Sequence, residues 1–201
     1  MAVTVEKPRV WQRMLSGRRL DLLAPDPEAI AIEDIAHGLS RVARWNGQTQ
    51  GPHAYSVAQH VLLVEDLVGQ ILPAATREDR LAALLHDAPE YVVGDMISPF
   101  KAVIGGDYKA VELRLLEAIY QRFGLTTAQR RAAEPVIKRA DSLAAYFEAC
   151  RLAGFDDDEA RMIFGAPPST LQIDDALLDP VSPDSAKVRF LDRFSTLFRP
   201  S

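Results

Sequence analysis

Four polar residues interrupt the apolar helical pattern of this sequence, namely His60, His86, Asp87 and Asp141. The pattern places them on three different helices. Two imidazoles and two carboxylates form a mixed nitrogen and oxygen donor set that suits Mn²⁺, Fe²⁺, Co²⁺, Ni²⁺ or Zn²⁺. Asp87 ends a nearly all-apolar helix, where an ionised carboxylate needs a cation or a metal. Taken together the residues favour a metal site, while satisfied core histidines and a local salt link are the alternative for each residue alone.

The elements that must position these residues are helical, because apolar residues recur at helical spacing nearly throughout the chain. We therefore predict an all-α fold. Ser56 and Gln59 have capping-box spacing at the start of the helix that carries His60. The predicted helices run through Ile35, Leu39 and Val42 to near Asn46 and Gly47, from Ser56 through Leu67, from about Thr76 to His86, from Val111 to Phe123, from Pro135 to about Arg151, and from Pro183 to Phe198.

Two segments do not follow the helical pattern. In residues 8–31, Ser16 and Gly17 on one side and prolines on the other bracket a short LDLL run, which predicts either an irregular turn or a small hairpin. The stretch from Gly165 to Asp184 is rich in proline and aspartate and is predicted to be an extended surface loop. We expect a single domain over residues 1–201, with a helical core at about 30–150 and a C-terminal loop and docked helix at about 155–201.

Composition narrows the class of protein. The chain has 201 residues, 48% of them hydrophobic, a formal net charge of -5 and one cysteine. That cysteine, Cys150, can form neither an internal disulfide nor a cysteine-rich zinc site, which indicates a reducing compartment and an expected cytoplasmic location. No apolar stretch approaches the roughly 18 residues of a membrane span. The acidic balance argues against binding a nucleic-acid polymer but allows one nucleotide in a locally basic pocket.

The order of the four polar residues resembles the H...HD...D signature of the HD-domain metal-dependent phosphohydrolases. The flanking segments YSVAQH, LLHDAPEYVVGDMISPFK and KRADSLAAYFEA resemble the bacterial 5'-deoxynucleotidase branch and the short phage-type HD hydrolases, over roughly residues 30–150. The resemblance implies an HD-type helical bundle whose ligands are His60, His86, Asp87 and Asp141. Family members with a second metal usually carry an extra histidine pair, and no histidine follows His86, so one divalent ion is expected.

The resemblance also implies the residues that act beside the ion. Glu90 matches a glutamate implicated in proton transfer, and Asp95 matches an acidic residue near the attacking water. This agrees with the chemistry, because an ion lowers the pKa of bound water and a neighbouring carboxylate takes the proton. A solvated charge for Glu90 and a turn or cap for Asp95 are the alternatives.

Three further residues match substrate contacts of the deoxynucleotidases. Arg44 and Trp45 resemble an Arg-Trp pair that binds phosphate and closes against the sugar, and Arg suits phosphate through its planar fork of donors. Trp45 as ordinary core is the equal alternative. Lys101 is expected to contact phosphate, with an exposed lysine as the alternative. Asn46 and Gly47 depart from the family pattern after Trp45.

The expected function is therefore a phosphohydrolase of small nucleotides, foremost a 5'-nucleotidase on (deoxy)nucleoside monophosphates. The first alternative is a deoxynucleoside triphosphate triphosphohydrolase of the dATP type, and the second is attack on an alarmone or a cyclic nucleotide. A non-catalytic nucleotide or metal sensor is the alternative of another class. The expected partner is a small nucleotide, without membrane contact. A homodimer through Leu191, Phe194, Leu197 and Phe198 is allowed, although such a stripe is more often core.

Overall fold

The structure is a computed structural model that describes residues 9–97, 103 and 106–199. It is built from helices with one small antiparallel hairpin, which confirms the predicted all-α class. Strand β1 (Trp11–Arg13) pairs with β2 (Arg19–Asp21) in antiparallel register. Gly17 lies in the connecting turn with φ +91°, in the left-handed region that glycine tolerates. Of the two structures considered for this segment, the hairpin is therefore correct.

The helices surround a main hydrophobic core that extends from Met14 in the hairpin to Leu197 near the C-terminus, and Tyr146, Ala149 and Ala160 form a smaller second cluster. In the described ranges, no helix has both the length and the apolar character needed to cross a membrane. The helices are α1 (Ile32–Leu39), α2 (Val57–Ile71), α3 (Arg77–Leu84), α4 (Glu90–Val93), α5 (Gly106–Arg122), α6 (Thr127–Arg151), α7 (Asp157–Phe164), α8 (Asp175–Leu178) and α9 (Pro183–Leu197). Helix α2 is central and packs against α3, α6, α8 and α9.

Capping residues determine where the helices begin. The Ser56 hydroxyl accepts from the Gln59 backbone N–H at α2, and Thr76 and Asp79 form a reciprocal capping box at α3, both as predicted. Helix α6 corrects a prediction, because it begins at Thr127 and contains Pro135 well inside it. A complete capping box of Thr126 and Gln129 satisfies helix-end donors and outweighs the single helical hydrogen bond that Pro135 cannot make.

The end of α1 is also corrected, because the helix stops at Leu39 rather than near Asn46 and Gly47. Ser40 and Arg41 form a turn, and Ala43 is extended and pairs with Ser56 just before α2. Arg44 N donates to Tyr55 O at 2.8 Å, and Val57 N donates to Val42 O at 3.0 Å. This long-range pairing, which helical periodicity cannot anticipate, brings Arg44 beside the start of the helix that carries His60.

The C-terminal segment is more ordered than predicted. The proposed loop contains α8, and Leu178 of that helix is buried. Helix α9 has the predicted position, and its buried face carries Ala186, Phe190 and Phe194, whereas Val188 is 57% exposed. Phe194 is buried and its ring contacts Phe123 edge-on at 5.0 Å between centroids. Part of the stripe considered for a dimer therefore belongs to the core, including buried Leu197.

A close approach between α1 and α4 fixes one wall of the site. A Cβ atom at Gly38 would lie 2.6 Å from Tyr91 Cβ, so the contact requires glycine. Helix α4 begins with Glu90, which is buried. The packing of α1 on α4 therefore positions a carboxylate that the sequence indicates as functional.

Candidate metal centre

The predicted metal ligands come together from three parts of the fold. His60 lies on α2 and is fully buried. Its Nε2 atom is 3.2 Å from Asp141 Oδ1 on α6 and 3.4 Å from Asp87 Oδ2. His86 Nε2 is 3.3 Å from the same Asp87 oxygen. One ligand atom each from His60, His86 and Asp141 lies within 4.8 Å of the others, so this triad can hold a metal ion.

His86 and Asp87 owe their positions to the end of α3. The helix stops at Leu84, and the chain continues in turns through residues 85–89 before α4 begins. His86 Nδ1 lies 2.8 Å from the carbonyl oxygen of Ala83. A carbonyl oxygen only accepts, so the Nδ1 position of the neutral ring carries the proton and Nε2 presents its lone pair to the site.

His60 is oriented by a residue that sequence reasoning missed. Glu148 lies on α6, is fully buried, and places Oε1 2.5 Å from His60 Nδ1. The carboxylate accepts the Nδ1 proton, which leaves Nε2 of the neutral ring facing Asp87 and Asp141. Metal-binding histidines almost always donate their other ring N–H to a carboxylate or a carbonyl, and His60 and His86 show one case each.

The donor set fits a divalent transition metal. His60 Nε2 and His86 Nε2 are buried, and among the described residues neither has a partner placed for a good hydrogen bond. Their 3.2–3.4 Å distances to Asp87 and Asp141 match the roughly 3.0–3.4 Å that separates neighbouring ligands about 2.1 Å from one ion. Within the described part of the chain, neither Asp87 nor Asp141 forms an ion pair with a lysine or arginine. A cation between these atoms would satisfy all four side chains.

Electrostatics at the site also favour a cation. Burial raises the pKa of Asp87, but His86 and His60 lower it further, so that the net pKa is far below its usual range. Burial likewise raises the pKa of Asp141, and its contact with His60 brings it below the usual value. Burial and Arg44 lower the pKa of His60, whereas Glu148 and the two aspartates raise it well above its usual value. When no metal is present, Asp87 and Asp141 therefore stay ionised and the His60 ring holds its proton more tightly than a free imidazole.

Arg44 and Trp45 lie beside the ligands and share one partner. Arg44 Nε donates to Glu148 Oε2 at 3.2 Å, and Trp45 Nε1 donates to the same oxygen at 2.8 Å. Arg44 Nη1 is 3.6 Å from Asp95 Oδ2. Trp45 and Asn46 have φ of +56° and +51°, an uncommon left-handed backbone for residues other than glycine. The structure thus holds a strained turn that aims both side chains at Glu148.

A cavity of about 460 Å³ opens onto this cluster. Its lining contains both polar and apolar residues, and the ring of Trp45, one of them, also packs against Phe155 and Phe164. Trp45 is therefore packed by neighbouring rings and also faces the cavity, and its contact with a substrate stays a prediction. The polar lining consists of Arg44, Asp87, Glu90, Asp95, Asp141 and Ser142, and the apolar lining consists of Trp45, Met96, Ile97, Ala145, Ile163 and Phe164.

The structure places Arg44, Trp45, Glu90 and Asp95 on the lining of the cavity together with Asp87 and Asp141. The roles predicted for these residues stay predictions. Lys101 lies outside the described residues. Sequence reasoning missed Ile163 and Phe164 of α7, a helix with no motif to mark its inner face. It also missed Glu148, which did give a signal, because it lies seven residues, about two helical turns, after Asp141 and therefore on the same face of α6.

Two proteins are similar to this chain over most of its length. The uncharacterized protein RCAP_rcc00048 of Rhodobacter capsulatus is 57% identical over 163 residues, which cover 81% of this chain and 83% of that protein. The uncharacterized protein YfdR of Escherichia coli K12 is 31% identical over 185 residues, which cover 92% of this chain and 94% of that protein. No family model matches the chain.

Proposed function

We propose that this chain, which belongs to the same family as RCAP_rcc00048 and YfdR, is a metal-dependent phosphohydrolase of small nucleotides. Its foremost reaction is removal of the 5'-phosphate from (deoxy)nucleoside monophosphates. The observation that carries the proposal is the convergence of His60, His86, Asp87 and Asp141 on one another, with the two aspartates lining the cavity. Their order along the chain resembles the signature of HD-domain phosphohydrolases, which supports the reaction class.

The four residues would hold one divalent ion such as Mn²⁺, Fe²⁺, Co²⁺, Ni²⁺ or Zn²⁺. When bound, such an ion lowers the pKa of a water molecule and offsets negative charge on a phosphate. Glu90 and Asp95 line the same cavity and are the carboxylates that take up the proton of the attacking water. The Asp95 side chain is only 6% exposed, so it acts from a site largely screened from bulk solvent.

Arg44 is the residue that binds the phosphate. Burial lowers its pKa, but Glu148 and Asp95 raise it further, so the guanidinium stays charged at any working pH. Its Nε donates to Glu148 and its Nη1 lies 3.6 Å from Asp95 Oδ2, and the other N–H groups of its five-donor fork serve the substrate at the cavity wall. We propose Lys101 as a second phosphate contact, on the resemblance of its segment alone.

The cavity also supports a single nucleotide as the substrate. Its volume of about 460 Å³ lies within the range of roughly 300–1,000 Å³ that is typical of small-molecule sites. Trp45, Ile163 and Phe164 offer an apolar wall to the sugar and base. Among the described lining residues Arg44 is the one cation, which balances a monophosphate better than a triphosphate.

A nucleotide panel tests the proposal. The purified chain, loaded with Mn²⁺ or Co²⁺, is incubated with nucleoside mono- and triphosphates, and the release of phosphate, pyrophosphate and triphosphate is measured. We expect phosphate from monophosphates, lost in Asp141→Asn and kept in Asp158→Asn, whose side chain is exposed on α7. Triphosphate from dATP would establish the triphosphohydrolase reaction instead. Tight binding of one nucleotide without cleavage would indicate a sensor and overturn the proposal.

A further inference from the structure

Glu148 links His60 of the candidate metal centre to Arg44 and Trp45 of the cavity lining. Its Oε1 atom lies 2.5 Å from His60 Nδ1. Its Oε2 atom accepts from Arg44 Nε at 3.2 Å and from Trp45 Nε1 at 2.8 Å. The side chain is fully buried, and Glu148 is not among the described residues that line the cavity. Any influence on a ligand in the cavity therefore passes through the three side chains that it binds.

These bonds fix side chains with different tasks. The bond to His60 turns the opposite ring nitrogen toward Asp87 and Asp141, whose oxygens are 3.4 and 3.2 Å away. The bond to Arg44 holds the cation that faces the cavity, and the bond to Trp45 holds part of the apolar wall. One carboxylate thus orients both the metal ligands and the substrate wall.

We propose that Glu148 is a positioning residue on which both metal affinity and phosphate binding depend. The inference rests on the proposed function, since it presumes an ion at His60 and a phosphate at Arg44. Loss of the carboxylate would free His60 and Arg44 together, and each would then lose the orientation that serves its own ligand. Outer-shell partners of this kind typically change metal affinity by about 10–100-fold.

The chemistry of the carboxylate makes the test specific. Both oxygens of Glu148 accept hydrogen bonds, one on the His60 side and one on the Arg44 side. Glutamine keeps the shape but has one accepting oxygen, and its NH₂ group donates. In Glu148→Gln the NH₂ group therefore replaces one accepting oxygen and faces N–H donors, either on the His60 side or on the Arg44 side. Glu148→Asp keeps both oxygens and the charge on a side chain shorter by one methylene.

Glu65 supplies a matched control. It is also buried, with 3% of its surface exposed, and it lies on α2, the same helix as His60. It accepts from Arg193 Nε and Nη2, both at 2.7 Å, and Arg80 Nε lies 2.5 Å away. Its hydrogen-bond and ion-pair partners among the described residues are Arg193 and Arg80, and neither is a proposed ligand or lines the cavity. Glu65→Gln therefore disturbs a buried glutamate of equal depth without touching the site.

The experiment titrates the metal-free full chain with Co²⁺ and follows the visible absorption of the bound ion. Binding of inorganic phosphate is then measured by calorimetry at saturating Co²⁺. We expect Glu148→Gln to weaken Co²⁺ binding by about 10–100-fold, to change the Co²⁺ absorption band and to weaken phosphate binding. Glu148→Asp should recover part of the Co²⁺ affinity, and Glu65→Gln should keep the native affinity and spectrum even if its Tm falls.

Native Co²⁺ affinity and absorption in folded Glu148→Gln would overturn the inference. An equal loss of affinity in Glu65→Gln would also overturn it, because the loss would then reflect general loosening of the core. Weaker Co²⁺ binding with native phosphate binding would refute the link to Arg44. If Glu148→Gln does not fold, Glu148→Asp decides by the same criteria. Failure of the native chain to bind Co²⁺ would instead refute the proposed metal centre on which the inference rests.

Discussion

Two clusters of charged side chains, one around Glu65 and one around His60, differ in the balance of cations and carboxylates. Around Glu65, two arginines from α3 and α9 surround one carboxylate of α2. Around His60, three carboxylates come within 3.4 Å of one imidazole, and the nearby Arg44 binds Glu148 rather than the two aspartates. The first cluster is closed by its own cations, whereas the second keeps two aspartates without a lysine or arginine partner in the described part of the chain.

The difference separates a packing role from a binding role. A buried carboxylate that is fully matched by arginines joins the helices that supply them, so the Glu65 cluster fastens α9 to α2 and α3. Carboxylates that are partly withdrawn from water and lie against imidazoles, without a lysine or arginine partner among the described residues, are costly until a cation arrives. The carboxylate that is paired with arginines therefore holds helices together, whereas the two aspartates without such partners lie at the cavity.

The largest expected effect distinguishes catalysis from ion binding at the cluster around His60. Glu90→Gln removes the carboxylate that we propose takes up a proton, and kcat should fall by about 10²–10⁴-fold. Co²⁺ affinity should stay native, because Glu90 is not one of the proposed ligands. Steady-state kinetics and Co²⁺ titration measure the two quantities. Full activity in the variant, or loss of the ion, would contradict the role assigned to Glu90.

A change in the cluster around Glu65 should lower the free energy of unfolding and leave Co²⁺ affinity unchanged. Glu65→Ala leaves Arg80 and Arg193 without their carboxylate, and removal of one partner of a buried pair usually costs about 3–5 kcal/mol. The two arginine side chains are 29% and 27% exposed and can regain water, so we expect about 3 kcal/mol. Urea denaturation measures this loss, and Co²⁺ titration of the folded variant should give the native affinity. A weakened Co²⁺ site would mean that the two clusters are not independent.

The smallest expected effect concerns pH. Burial lowers the pKa of His60, but its carboxylate partners raise it well above 6.5. In the metal-free chain His60 therefore contributes stability that is fully present below pH 6.5 and is lost as the pH rises through the raised pKa. A metal must displace the Nε2 proton, so Co²⁺ affinity should rise by up to about tenfold per pH unit in the same window. Calorimetry over that range measures both trends, and a pH-independent affinity would contradict them.

The sequence predicts the site better than it predicts the chain segments around it. The candidate metal ligands are recognisable in the sequence because a polar side chain on an apolar helix face is conspicuous, as with His60 on α2. Arg44 was found only through its resemblance, and its position depends on pairing of residues 42–44 with residues 55–57, which no local pattern encodes. The predicted start of α6 at Pro135 was wrong. Proline is typical of the first turn of a helix, but this well-capped helix contains it in its interior.

The second layer of the site shows the limit of sequence reasoning most clearly. Glu148 lies on the same face as Asp141, yet a glutamate seven residues away on a helix is common, and only the fold shows that it is buried against His60. Ile163 and Phe164 reach the cavity because α7 packs on α6, a tertiary contact without a motif. Burial and partner identity thus come from packing, whereas ligand type and order come from the sequence.

Metal analysis of the purified chain tests the central claim most directly. The native protein and the His53→Ala variant, which alters an exposed loop histidine, should each retain one divalent ion per chain after exposure to Co²⁺ and removal of the excess. His86→Ala should retain far less, since it removes one member of the triad at the site. A native chain that retains no ion, or a His86→Ala variant that retains as much as the native chain, would contradict the account.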